Sequence, residues 1–237
     1  MQSKESAKLA NIRMLEFIAS KLGSLRDEVV FLGGCTTALF IDDPNIPDVR
    51  YTVDVDCIID VLSLNQYHQL EKKLKQLGFK QSLSEKVICR WHYDDAVLDV
   101  MPTDEKILGF SNRWYKEAIK HSSNYVLSKG NNIKTVSAAY FLATKIEAFK
   151  TRGKSDYYAS RDFEDIVSVL DGRSVLAEDI KNSKESLKNY LIQALTDIYH
   201  NPSFKGAIPG HFVQYGKLAE DRIELLEQKI MAIIQGS

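Results

Sequence analysis

The sequence predicts an α+β fold, in which a mixed sheet flanked by helices is followed by an α-helical domain. Two observations carry this prediction. Through roughly the first 130 residues, short apolar segments of strand length alternate with amphipathic helical segments and turn residues. Beyond that point, apolar residues recur only at steps of three and four, which is helical spacing. The predicted domains are therefore residues 1–132, the α/β domain, and residues 133–237, the helical domain.

The elements of the first domain follow from apolar spacing and turn residues. Steps of three and four predict a helix at residues 5–22 that ends at Gly23. A short buried strand at 29–32 leads into the Gly33-Gly34 turn. The remaining predicted elements are a short helix at 36–40, a strand at 51–61, a helix at 64–77, strands at 79–83, 87–91 and 96–101, a short helix within 107–121 and a hairpin over 124–134.

Helical periodicity alone defines the second domain. The predicted helices are 137–150, 161–170, 183–199 and 215–234. A polar break at 153–160 separates the first two helices.

Composition excludes some functional classes. The 237 residues are 44% hydrophobic and 27% charged, with a formal net charge of -1, as in an ordinary globular protein. A balanced charge argues against a non-specific polyanion binder, so any contact with nucleic acid would need a local patch. No apolar run approaches the ~18 residues that a membrane span requires. We expect no membrane association.

The cysteines and the first residues indicate a cytoplasmic protein. Cys35, Cys57 and Cys89 have no metal-ligand spacing, and each lies in an apolar run where a buried free thiol is usual. Residues 1–23 carry charges throughout and lack the apolar core of a secretory signal. A reducing compartment fits both observations.

Carboxylates on the strand at 51–61 are the centre of the functional prediction. Side chains alternate along a strand, so Thr52, Asp54 and Asp56 share one face. If the downstream strand that carries Asp99 pairs beside this one, Asp99 faces the same point. Crowded carboxylates repel one another unless a cation holds them, and hard cations such as Mg²⁺ take carboxylate oxygens. We therefore predict a divalent-metal site.

Glycines and cations supply the complementary phosphate contacts. Gly33 and Gly34 have no Cβ, so backbone N–H groups at this turn can approach a phosphate closely. The hydroxyl of Thr36 adds a donor. In the second domain, Lys145 offers a point charge and Arg152 a planar fork for phosphate oxygens.

Two sets of motifs give the sequence a family resemblance. The GGCT turn at 33–36, the R-x-T-x-D-x-D pattern at 50–56 and the lone Asp99 resemble the nucleotidyltransferase fold of the polymerase-beta superfamily. The K-x2-A-x3-R pattern at 145–152 and the RD-x2-D pattern at 161–165 are similar to the signature of AbiEii-type, abortive-infection, toxin-like nucleotidyltransferases. The resemblance covers residues 28–170.

The resemblance implies an enzyme that uses a nucleoside triphosphate (NTP), with Mg²⁺ or Mn²⁺ as cofactor and pyrophosphate as leaving group. Asp54 and Asp56 would bind metal, and Asp99 would complete the acidic site. Lys145 would lie beside the donor phosphates, and Asp162 would orient Lys145 or the acceptor. The predicted catalytic residues are thus Asp54, Asp56, Asp99, Lys145 and Asp162, the metal ligands Asp54, Asp56 and Asp99, and the nucleotide-binding residues Gly33, Gly34, Thr36, Thr52 and Arg152.

The acceptor stays open at this point. The resemblance favours a toxin-like enzyme that modifies tRNA, other RNA or a protein, with an antitoxin protein as a further partner. A basic cluster suited to an RNA end comprises Lys145, Lys150, Arg152, Lys154 and Arg161. The alternatives are a small-molecule acceptor, as in the antibiotic nucleotidyltransferases, and a nucleotide- or partner-binding module without catalysis.

Each motif also has a purely structural interpretation. An Asp-x-Asp strand can be the solvated face of a sheet, and Gly33-Gly34 can be an ordinary turn. Lys145 and Arg152 can form a solvated helix stripe, and Asp162 can complement a helix dipole. The histidines show no metal-ligand spacing with cysteine and are interpreted as structural. The functional prediction depends on the conjunction of the motifs.

Overall fold

The structure is a computed structural model that describes residues 6–46, 48–61, 63–82, 87–128 and 132–236. The helices are α1 (Ala7–Lys21), α2 (Thr37–Phe40), α3 (Leu64–Gln76), α4 (Glu105–Leu108), α5 (Tyr115–Lys120), α6 (Ala138–Lys150), α7 (Arg161–Gly172), α8 (Leu176–Lys181), α9 (Glu185–His200), α10 (Pro202–His211) and α11 (Ala219–Gln235). The strands are β1 (Val29–Leu32), β2 (Asp54–Ile59), β3 (Arg90–Tyr93), β4 (Ala96–Pro102), β5 (Ser123–Val126) and β6 (Asn132–Thr135).

The chain forms two compact units. The first unit comprises Met1–Ala38 and Arg50–Ser137, and the second comprises Leu39–Val49 and Ala138–Ser237. The sequence analysis places a single boundary between residues 132 and 133. It assigns the 39–49 segment to the first domain, whereas in the structure this segment belongs to the second unit.

A mixed sheet forms the first unit. Within its described residues, six strands lie in the order β3-β4-β2-β1-β6-β5. β2 pairs in parallel with β4 and antiparallel with β1, which pairs in parallel with β6. Antiparallel pairs β3–β4 and β5–β6 close the two edges. The predicted α+β class with a mixed sheet is therefore confirmed.

Two predicted strands differ from the observed ones. The strand predicted at 79–83 is reduced to a bridge between Lys80 and His92, and residue 83 lies outside the described part of the chain. The strand predicted at 87–91 begins later, as β3. Its end is fixed by a tight turn in which Asp94 adopts a positive φ of 51°, a conformation that Asp tolerates better than most residues.

The predicted hairpin at 124–134 is present as β5 and β6, with Tyr125 opposite Ile133. Residues 129–131, between these two strands, lie outside the described residues. All three cysteines are buried and free, as predicted. In the portions of the chain that the structure describes, we find no helix with the length and apolar character needed to cross a membrane.

The second unit packs its helices around α6. Residues 138–146 of α6 are all buried, the side chain of Lys145 among them. The four predicted helices correspond to α6, α7, α9 and α11. α8 and α10 escape prediction, because α8 spans only six residues and α10 contains two prolines and two glycines, which weaken the helical signal.

The 39–49 segment joins the second unit through backbone hydrogen bonds. The N–H groups of Asp42 and Asp43 both donate to the carbonyl of Gly172, at 3.1 Å each. Arg222 of α11 donates to the carboxylates of Asp43 and Asp171. The segment is thereby fixed to the end of α7 and to α11.

Candidate active site

The glycine turn after β1 lies in close contact with β2 and the segment before it. Gly33 has φ +81°, and a Cβ at this position would lie 1.9 Å from Oδ2 of Asp56. A Cβ on Gly34 would lie 2.5 Å from Nη2 of Arg50 and 2.7 Å from Cγ2 of Thr52. No real Cβ fits at such distances, so both positions require glycine. Because neither glycine has a side chain, Asp56 can lie against Gly33, and Arg50 and Thr52 can lie against Gly34.

The threonines of this turn have different environments. Thr36 is fully buried, and both its N–H and its Oγ1 donate to the carbonyl of Gly33, at 3.1 and 2.9 Å. The buried hydroxyl of Thr37 has no hydrogen-bond partner among the described residues. Thr36 thus stabilises the turn, while the hydroxyl of Thr37 is an unused donor at its end.

The carboxylates meet across adjacent strands. In the parallel β2–β4 pair, Asp56 lies directly opposite Asp99, and Asp54 lies opposite Val97. Residues at alternate positions point to the same face, so Asp54, Asp56 and Asp99 share one face of the sheet. The strand that carries Asp99 pairs beside the Asp54–Asp56 strand, which meets the condition under which the three carboxylates share one face.

Arg90 joins two of these carboxylates, and the sequence analysis missed it. Its Nε donates to Oδ1 of Asp99 at 2.9 Å, and its Nη2 donates to Oδ2 of Asp99 at 2.8 Å and to Oδ2 of Asp54 at 3.1 Å. Arg90 lies opposite Asp99 in the β3–β4 pair. The turn at residues 94 and 95 fixes that register, so the sequence contained a usable signal.

The donor set fits a divalent cation in its chemistry. In the observed arrangement, the described residues include no group of three or more His, Cys, Asp or Glu side chains placed to hold a metal ion. In this arrangement the guanidinium of Arg90 is bonded to Asp54 and Asp99. Yet oxygens of these two carboxylates converge on one nitrogen, and converging carboxylate oxygens are what Mg²⁺ binds. Metal ligation by Asp54, Asp56 and Asp99 stays a prediction.

Two buried thiols lie near the carboxylates and remain protonated. Burial raises the pKa of Cys57 well above its usual value, and the charge of Asp56 adds to the effect. Burial and the charge of Asp99 raise the pKa of Cys89 to about 12. Because only a thiolate is a good nucleophile or metal ligand, the chemistry of this face rests on its carboxylates.

A buried asparagine positions the segment that leads into β2. Asn11 of α1 is 0% exposed. Its Nδ2 donates to the carbonyl of Arg50 at 2.8 Å, and its Oδ1 accepts the N–H of Thr52 at 3.0 Å. These two bonds replace strand pairing before Asp54, where β2 begins. Asn11 therefore sets the backbone on which Thr52 is carried, a contact across 39 to 41 positions that local patterns do not reveal.

In the second unit, the predicted Lys145, Arg152 and Asp162 come together. Nζ of Lys145 lies 3.1 Å from Oδ1 of Asp162 and 2.6 Å from Oδ2 of Asp165. Arg152 donates to both oxygens of Asp162 at 2.8 Å. Asp165 was assigned no role from sequence, although its i, i+3 spacing from Asp162 places both on one face of α7. The structure thus gives a cluster of two cations and two carboxylates.

The charges of this cluster are mutually compensated. Burial acts to raise the pKa of Asp162, but the hydrogen bonds from Arg152 and the charge of Lys145 lower it to about 2. Lys145 is only 5% exposed. α6 ends at Lys150, the end predicted from the sequence, and Arg152 lies in the turn that follows. Its planar fork reaches Asp162 from that turn.

The loop after α6 forms part of the lining of an open pocket. Lys154 and Ser155 both have positive φ, at 50° and 55°, which is uncommon for residues other than glycine. The pocket has a volume of about 440 Å³, and its lining includes Arg152, Lys154 and Arg161 together with two aspartates. Three of the cations predicted to form a basic cluster therefore share one concave surface.

Comparison with known proteins identifies the fold. No protein-family model and no curated protein matches the chain. The crystal structure of an antigenic nucleotidyltransferase-like protein from Paracoccidioides brasiliensis is similar with 22% identity and a TM-score of 0.48, covering 83% of this chain and 91% of that one. The solution structure of the antibiotic-resistance factor ANT(2'')-Ia is similar with 13% identity and a TM-score of 0.50, covering 81% of this chain and 97% of that one.

At such low sequence identity, the likeness concerns the fold alone. The chain shares its fold with ANT(2'')-Ia. The AbiEii-type assignment stays a prediction.

Proposed function

We propose that this protein is a divalent-metal-dependent nucleotidyltransferase that moves a nucleoside monophosphate from an NTP to an acceptor. The observation that carries the proposal is the position of Asp56, which lies against Gly33 of the glycine turn and opposite Asp99. The carboxylates and the glycine turn are thereby placed side by side. The nucleotidyltransferase-like fold supports the proposal.

Each residue on this face has a proposed task. Asp54, Asp56 and Asp99 would hold Mg²⁺ or Mn²⁺, which when bound supplies the positive charge that phosphoryl oxygens require. The backbone at Gly33 and Gly34 would lie against the triphosphate. Thr36 and Thr52 would support this contact from within the turn, since both are buried beside it.

The proposed reaction is a displacement at the α-phosphorus of the NTP. The acceptor oxygen forms a bond to that phosphorus, the bond from the phosphorus to the β-phosphate oxygen breaks, and pyrophosphate leaves. The acceptor proton passes to a base, a role we assign to Asp99. This role requires Asp99 to be free of the two hydrogen bonds it accepts from Arg90.

Lys145 and Arg152 would neutralise the donor phosphates, as the family resemblance implies. The contacts in the second unit support the orienting role of Asp162, which holds both cations. A preorganised cation stabilises negative charge that develops on a leaving pyrophosphate. Asp165 would share the orienting task through its 2.6 Å contact with Lys145.

For the acceptor, we favour an RNA such as tRNA, or a protein, with a toxin-like role and an antitoxin partner. The pocket lined by Arg152, Lys154 and Arg161 supports this choice, because clustered cations on a concave surface suit phosphates of an RNA end. The small-molecule alternative is favoured by the fold likeness to an antibiotic-resistance factor. A non-catalytic binding module is favoured by Arg90, which engages two of the three carboxylates.

Label transfer tests the proposal. Purified protein with Mg²⁺ receives each α-labelled NTP, together with total RNA, a protein extract free of small molecules, a panel of antibiotics or buffer alone. We expect label on one acceptor class, and none with the Asp54→Asn/Asp56→Asn double variant. Equal transfer by that variant would refute the carboxylate assignment. NTP binding without transfer to any acceptor would favour the binding module.

A further inference from the structure

We propose that Arg90 is a built-in counter-ion that competes with the divalent cation for Asp54 and Asp99. The inference rests on the proposed function, which makes these carboxylates metal ligands. Arg90 would hold the acidic site closed to metal until its guanidinium withdraws. Arg90, unlike the two carboxylates, lies outside the motifs that carry the family resemblance.

Arg90 and a metal ion that bridges Asp54 and Asp99 would compete for one position. Nη2 lies 2.8 Å from Oδ2 of Asp99 and 3.1 Å from Oδ2 of Asp54, so it fills the point on which these two oxygens converge. Mg²⁺ needs carboxylate oxygens at about 2.0–2.1 Å. A cation bound to both oxygens would take the place of Nη2, and its charge would repel the guanidinium.

Arg90 is well placed for the role of counter-ion. It offers a planar fork that binds Asp99 with two hydrogen bonds, and charge-assisted bonds of this kind are the strong ones. Asp99 is only 7% exposed, so its charge would be costly to bury without a partner. Arg90 therefore stabilises the carboxylate face while no metal is bound.

The fold also gives Arg90 room to withdraw. β3 is the edge strand of the sheet, and on its outer side Lys80 bridges to His92, two residues beyond Arg90. The Arg90 side chain is 25% exposed, and a long side chain that reaches solvent can change rotamer while the β3–β4 backbone pairing stays intact. Withdrawal thus requires no rearrangement of the strands.

Mn²⁺ binding, measured by electron paramagnetic resonance of the free ion, tests the competition. The variants are Arg90→Met, which removes the charge, and Arg90→Lys, which keeps a charge but loses the fork. We expect Arg90→Met to bind Mn²⁺ at least about tenfold more tightly than the wild type, with Arg90→Lys in between. Arg113→Met is the matched control, because it removes an exposed arginine that lies over the Trp114 ring.

A thermal melt gives a second readout. Without metal, Arg90→Met should melt at a lower temperature than the wild type, and Mn²⁺ should raise its melting temperature by more than it raises that of the wild type. Adding Asp99→Asn to Arg90→Met should abolish the gain in affinity. This double variant assigns the bound ion to the Asp54–Asp99 site.

Equal or weaker Mn²⁺ binding by both Arg90 variants would overturn the inference, and so would absence of binding in all of them. If Arg90→Met does not fold, Arg90→Lys alone decides the question, since tighter binding than wild type is still required. The outcome is separable from the proposed function. If Arg90→Met binds Mn²⁺ more tightly but no label is transferred, the proposed function is wrong and the inference about Arg90 holds. If label is transferred but the Mn²⁺ affinity of Arg90→Met is unchanged, the proposed function holds and the inference is wrong.

Discussion

The side chain of Asp56 occupies the space that a Cβ on Gly33 would need. A Cβ on Gly33 would stand 1.9 Å from Oδ2 of Asp56 and 2.7 Å from its Cβ. The glycine is thus a steric requirement of the carboxylate site itself. The turn and the acidic strand, which sequence analysis treats as two motifs, are one packed structure.

Gly33→Ala should disrupt this contact. The alanine must adopt a positive φ and displace Asp56, so we expect a loss of roughly 3 kcal/mol in the free energy of unfolding and loss of nucleotidyl transfer. Gly109→Ala is the matched control, because Gly109 has a similar φ of +78° with no atom within 4 Å of its Cβ position. Urea denaturation of both variants separates backbone strain from collision. Equal losses of unfolding free energy for the two variants would show that the collision with Asp56 makes no contribution.

Asn11→Ala should destabilise the segment before β2. It leaves the carbonyl of Arg50 and the N–H of Thr52 without the side chain that pairs them, at a cost of roughly 1–3 kcal/mol for each buried group that stays unpaired. We expect a loss of about 2 kcal/mol in unfolding free energy, with reduced transfer activity. Chemical denaturation measures the first effect. Asn124→Ala, at an exposed position, is the control and should change stability little.

Asp162 should make stability depend on pH in the acid range. Its pKa is lowered from 3.8 to about 2 in the folded protein. A lowered pKa means that the carboxylate stabilises the fold above pH 3.8, and that this contribution disappears as the pH falls toward 2. We expect the wild type to be more stable than Asp162→Asn at pH 7 and the difference to shrink below pH 4. Urea titrations of both proteins across this range test it; a pH-independent difference would contradict the assignment.

Arg222→Met should loosen the 39–49 segment. The guanidinium engages Asp43 and the buried Asp171, and removing one partner of a buried ion pair leaves an uncompensated charge. We expect a loss of roughly 3 kcal/mol in unfolding free energy. Arg161→Met, which removes an exposed arginine of the same unit, should cost much less. Similar losses for the two variants would mean that the network contributes little.

Local rules were sufficient for much of the carboxylate face. Alternation along a strand put Asp54 and Asp56 on one side, and Asp99 was expected beside them on the condition that its strand pairs there, which it does. A two-residue turn at 94 and 95 sets the register that places Arg90 opposite Asp99. Alternation and pairing define the face of the sheet, but they do not show which cation bonds to its carboxylates.

Other parts of the site depend on contacts that no local pattern encodes. Asn11 acts through bonds to a segment 39 to 41 residues away, so its role becomes visible only with the three-dimensional structure. Arg152 lies in the turn after α6 and donates to Asp162 of α7. Periodicity identifies the faces of each helix, but it does not show that a residue of this turn meets a residue of the next helix.

The assignment of Leu39–Val49 to the second unit has a consequence for the nascent chain. A ribosome releases this segment early, whereas Gly172 and Arg222, which hold it, are made much later. Ile41, buried in the finished protein, stays uncovered in the meantime. The first unit can complete its sheet once residue 137 has emerged, but the second unit must wait for its last helix. Slow translation of the final hundred residues would therefore lengthen the time in which a chaperone can bind this segment.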